Sequence, residues 1–100
     1  MKMPEDPFVR ELLPEFIETW VEDINAQLKQ LIESKNENDL YRFGHTLKGS
    51  CFQFGLDDTA QLGIELMGYA RAHDWEKAKE MEAKLINSLL EMKKFFEENS

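Results

Sequence analysis

The chain has 100 residues, of which 42% are hydrophobic, and a formal net charge of −8. That is apolar material enough for one core in one domain and too much for a disordered tail. The acidic balance builds no basic stripe for nucleic acid, no apolar run nears the roughly 20 residues that span a membrane, and a single cysteine allows no intrachain disulfide.

Few prolines and glycines, few β-branched residues and abundant Glu, Leu, Lys, Ala and Met favour helices. Residues 1–7 are acidic and proline-bearing, hold no signal-peptide core and are expected to fray; a cytoplasmic location follows. Phe8, Val9, Leu12 and Leu13 suit a short helix or turn covering one end of a bundle. Pro14 is expected to start or kink the next element, because proline fits the first turn of a helix and not its interior. From Pro14 to about Ser34, Ile17, Trp20, Val21, Ile24, Leu28, Leu31 and Ile32 recur at helical spacing.

Residues 35–39 break the pattern. Asn36 or Asn38 can cap the central helix, and Glu37 and Asp39 complement its positive end. That helix is predicted from about Asp39 to Phe54, with Leu40, Phe43, Gly44, Leu47, Cys51 and Phe54 on its inward face. Cys51 reads as a small core residue. Gly55 supplies the left-handed conformation that ends a helix, and Asp57 or Asp58 is expected to cap the next.

A third helix is predicted from about Asp58 to His73. Ala60, Gly63, Ile64, Met67 and Ala70 form its stripe, with Leu62, Leu66 and Tyr69 alongside. Such breadth means two packing neighbours or an exposed apolar margin. Gly63 and Gly68 are expected to mark tight packing, and His73, in the last turn, is expected to have no chemical role. Asp74 can cap the last helix, Trp75 to about Glu97, where Ala78, Met81, Leu85, Leu89, Met92 and Phe96 recur at three- and four-residue steps. Residues 97–100 are expected to fray. Four amphipathic helices with short connections imply an all-α, antiparallel up-down-up-down four-helix bundle over residues 1–100, as one domain.

The outward face of the central helix carries the chemistry. At about 100° per residue, His45 lies roughly opposite Leu47 and points at water, with Tyr41 and Gly49 one turn to either side. Lys48 stands at i+3 and Phe52 two turns on. A neutral, exposed imidazole can attack phosphorus on another protein, and Lys48 can hold the phosphoryl oxygens where charge develops. Gly49 costs about 1 kcal/mol of helix propensity relative to Ala, which close docking of a partner would justify. Gly44, on the inward side, would permit close helix packing. Tyr41 and Phe52 are candidate docking residues or partly buried packing residues, and Gln53 is a weaker candidate for orienting the imidazole or phosphate. Ser50, about 140° round from His45, reads as structural.

The run His45-x-Leu47-Lys48-Gly49-Ser50, followed by Phe54-Gly55, resembles the signature of histidine phosphotransfer (HPt) domains of two-component phosphorelays. The resemblance implies the same helical bundle. It implies a phosphocarrier without kinase activity, in which His45 accepts a phosphoryl group through Nε2 from a receiver-domain aspartate and passes it to another receiver. The partners implied are response-regulator or hybrid-kinase receiver domains. No cofactor is expected on this chain, and Mg²⁺ belongs to the partner receiver. A monomer is the expected state.

Two rival readings stand beside this one. A helical adaptor or dimerisation module would bind a signalling partner without transfer, and a bundle with a core ligand would need polar inward residues. Two histidines and one cysteine, scattered, make no metal set, and neither histidine has the Glu-x-x-His spacing of carboxylate di-iron bundles.

Overall fold

The structure is a computed structural model and describes residues 4–99. Its elements are α1 (Pro7–Asp23), a π-helical turn (Ile24–Leu28), α2 (Lys29–Glu33), α3 (Glu37–Gln53), α4 (Asp57–Ala72) and α5 (Trp75–Asn99). Helical dihedrals run unbroken through both ends of the π turn, so α1 to α2 is one rod. Four rods pack antiparallel in a body of 40 × 18 × 17 Å, with α4 between α3 and α5.

The N-terminal expectation is corrected. Phe8 to Leu13 form no separate covering helix, and Pro14 neither starts nor ends an element; it sits inside α1. The helix starts earlier because Asp6 caps it, its Oδ1 accepting from the Phe8 N–H at 2.9 Å, with Pro7 in the first turn. An interior proline costs about 3 kcal/mol. Leu13 and Ile17, fully buried one turn apart, bracket Pro14 and reach the core together only on a continuous helix. The π turn has a similar origin. Ile24, Leu28 and Ile32 recur every fourth residue, a spacing that drifts about 40° per step on an α-helix. A turn with more residues corrects the drift, and all three are buried.

The three reversals share one device. Asn36 N–H donates to Leu31 O, Leu56 N–H to Cys51 O and Asp74 N–H to Tyr69 O, each closing a helix end across a residue with positive φ. Those residues are Lys35 (54°), Gly55 (76°) and His73 (55°). In each case the carbonyl of the next residue accepts the first hydrogen bond of the following helix. Asn36 caps α3, its Oδ1 accepting from Asp39 N–H at 3.1 Å, and Asp74 Oδ1 accepts from Lys77 N–H at 3.2 Å. Between them, Leu56 closes α3 and opens α4 without a side-chain cap. Asp57 and Asp58, expected as caps, therefore fall in the first turn, where they complement the dipole. α5 continues past Glu97 to Asn99, whose amide donates to Phe95 O at 2.8 Å. The remaining residues of the two ends expected to fray, 1–3 and Ser100, lie outside the described residues.

The core joins Leu13, Ile17, Leu40, Leu47, Leu66 and Leu85 among others, all fully buried. Phe16 stacks on Phe54 at 3.9 Å and Trp20 meets Phe43 edge-on at 5.7 Å, tying the first rod to α3. Thr59 and Ser88 share a 2.6 Å hydroxyl bond between α4 and α5. The closest approach is between α3 and α4. A Cβ on Gly44 would stand 3.0 Å from Gly63 O, and one on Gly63 would stand 3.1 Å from Gly44 O. Of the three glycines expected at close packing, Gly44 and Gly63 thus face each other across one seam.

Candidate functional site

The seam fixes which side of α3 is left to solvent. With Gly44 turned to α4, the flank about a quarter-turn round the helix carries Tyr41, His45, Gly49 and Phe52, one above the next. His45 is exposed and, among the described residues, forms no hydrogen bond or ion pair. Among the described residues its ring neighbour is Tyr41, near-parallel at 27° with centroids 6.4 Å apart. A Cβ on Gly49 would meet nothing within 4 Å, so the space one turn beyond the imidazole is clear. Phe52 is 42% exposed and Tyr41 is half-buried.

Lys48 is half-buried through its backbone. Its amide nitrogen and Cα lie 3.2 and 3.4 Å from where a Gly63 Cβ would be, so α4 pins the main chain. The side chain has no acidic partner among the described residues, which leaves its charge for an incoming anion. Gln53 is exposed and also without a partner among the described residues, whereas Ser50 is half-buried.

Three residues of this face escaped the sequence reading. Gly68, expected at a packing contact, has nothing within 4 Å of its Cβ position, and Ile64, placed in the core stripe, is 40% exposed. The helical wheel holds the signal. Gly63 and Gly68 lie about 140° apart, so only one can face α3, while Ile64 and Gly68 share a side at about 40°. Both readings of α4's broad stripe hold: it packs between α3 and α5 and leaves an exposed apolar margin at Ile64. Arg71 is the third: its guanidinium lies 4.0 Å over the Tyr41 ring and its Nη1 is 3.5 Å from Glu37 Oε2. No local pattern marks such a cross-helix contact.

The second histidine contrasts with the first. His73 Nε2 pairs with Glu37 Oε1, and its ring stacks on Trp75 at 5.5 Å. The left-handed turn at His73 swings it back over the start of α3, which periodicity alone does not reveal. Cys51 is buried in the seam side of α3, and burial pushes its thiol up to about 12, so it is no nucleophile near neutral pH. Among the described residues no three His, Cys, Asp or Glu side chains gather to hold a metal ion, and no helix is long and apolar enough to cross a membrane.

The arrangement offers one unencumbered imidazole, an adjacent free ammonium and a clear approach. That combination can support group transfer between protein surfaces. The family model described as Hpt domain matches residues 11–95. No curated protein and no solved structure matches the chain significantly.

Proposed function

The chain belongs to the Hpt domain family, helical phosphocarriers of two-component phosphorelays, and on that premise we propose that His45 is its phosphoacceptor. The observation that carries this reading is the contrast in partners. His45 is exposed and, among the described residues, unbonded beside Lys48 and Gly49, whereas the other histidine is committed to Glu37.

In the proposed reaction a receiver domain presents an aspartyl phosphate with its own Mg²⁺. The lone pair on His45 Nε2 attacks phosphorus in line. The N–P bond forms as the acyl O–P bond breaks, and the aspartate carboxylate leaves with the electron pair. Lys48 Nζ holds the equatorial phosphoryl oxygens while charge is spread over them. The reverse sequence, on a second receiver, discharges His45. The protein is a carrier with no kinase activity of its own, working in the cytoplasm as a monomer.

Docking falls to the face around the imidazole. Phe52 and Ile64 supply apolar contact, Tyr41 supplies an aromatic edge, and Gly49 and Gly68 leave room for the receiver's backbone to come close. Gln53, exposed two turns from His45, is assigned to orienting the imidazole or the phosphate.

The test is transfer from receiver domains charged with radiolabelled acetyl phosphate to the wild type and to His45→Gln. Acid-labile, alkali-stable label on the wild type alone is expected. Receiver binding without label on a folded wild type would replace phosphotransfer with the adaptor reading.

A further inference from the structure

Glu37, Tyr41 and His45 follow one another at four-residue steps along α3, so their side chains form a ladder on one face. Arg71, from the last turn of α4, reaches across to the first two rungs. Its guanidinium covers the Tyr41 ring at 4.0 Å while Nη1 meets Glu37 Oε2 at 3.5 Å. The same carboxylate is held on its other oxygen by His73, so the anchor for Arg71 is itself fixed. Tyr41, thus clamped, lies near-parallel to the imidazole of His45, which has no other partner among the described residues.

We propose that Arg71 is a positioning residue for phosphotransfer: anchored on Glu37, it fixes the Tyr41 ring, and the ring sets the orientation of the His45 imidazole. This rests on His45 being the phosphoacceptor. Two physical consequences make the clamp useful. In-line attack needs the ring nitrogen aimed at phosphorus, and an imidazole on an exposed helix face is otherwise free to change rotamer. An aromatic face also carries negative charge density, which opposes an arriving phosphoryl dianion; a guanidinium over the same ring offsets it.

The experiment compares wild type, Arg71→Ala, Arg71→Lys, Tyr41→Leu and the Arg71→Ala/Tyr41→Leu double variant, using the labelled receiver that charges the wild type fastest. Transfer rate is measured against receiver concentration, and each variant is unfolded in urea. Arg71→Ala is expected to slow transfer at saturating receiver by about 5-fold, the scale of an exposed cation–π contact, with half-saturation unchanged. Arg71→Lys is expected to recover part of that rate. In the Tyr41→Leu background the Arg71→Ala change is expected to have no further effect.

Equal effects of Arg71→Ala with and without the tyrosine would overturn the inference, as would a loss confined to half-saturation, which marks docking. A wild-type rate in a folded Arg71→Ala would overturn it while leaving His45 as acceptor. Absence of label on the wild type itself would overturn both.

Discussion

The two sides of α3 use the same residue type for opposite ends. Toward α4, Gly44 meets Gly63 so closely that a Cβ on either would press on the other's carbonyl oxygen. Toward solvent, Gly49 and Gly68 have empty space where a Cβ would go. Both pairs give up helix propensity, about 1 kcal/mol each. On the inner side the loss is offset by packing, since the backbones approach closely enough to lock Lys48 against α4. On the outer side no packing contact among the described residues offsets it. A sacrifice without internal return points to a surface shaped for another molecule.

That contrast has measurable consequences. Gly44→Val and Gly63→Val should each destabilise by about 1–3 kcal/mol or more through overpacking, read as a fall in urea midpoint at constant slope. Cys51 extends the contrast to titration, because its thiol lies on the sealed side with a pKa raised to about 12 from 9.0. Its protonated form is favoured by folding, so the associated stability is fully present below pH 9 and is lost as pH rises toward 12. Unfolding free energy should therefore fall by about 1.4 kcal/mol per pH unit in that window, relative to Cys51→Ala. A parallel decline in both proteins would show that the thiol is not the cause.

On the open side the effects divide between activity and stability. Lys48→Ala should slow receiver-to-carrier transfer on the order of 10-fold with an unchanged melting curve, less than the 10²–10³ of an enclosed oxyanion donor. Normal transfer by that variant would remove Lys48 from the chemistry. Smallest in energy, Gly49→Ala and Gly68→Ala should stabilise the fold by up to about 1 kcal/mol. Gly49→Leu should leave stability intact yet cut transfer, because its bulk stands one turn from His45. If Gly49→Leu transfers normally, the clear space has no part in docking.

The sealed side was the more legible in sequence. Leu40, Phe43, Gly44, Leu47 and Cys51 read directly as an inward stripe, and Asn36, Gly55 and Asp74 as helix boundaries, because each works through contacts a few residues away. What periodicity could not supply were effects set by the whole packing. Pro14 stays helical because Leu13 and Ile17 are both drawn into the core, and the π turn corrects a stripe whose drift spans three turns. Leu56 displaces two good capping aspartates because it is already committed to closing α3. On the open side, the outward aspect of His45 and of Gly49 was legible from their spacing. Arg71 was not, since 30 positions in sequence separate it from the ring it covers.

The most direct test sets the two histidines against each other. Wild type, His45→Gln and His73→Gln are charged by the same labelled receiver, and acid-labile label is followed on each folded protein. Label on wild type and His73→Gln with none on His45→Gln is the expected result. Label that persists on His45→Gln and disappears from His73→Gln would place the acceptor at the partnered histidine and contradict the assignment of the open face.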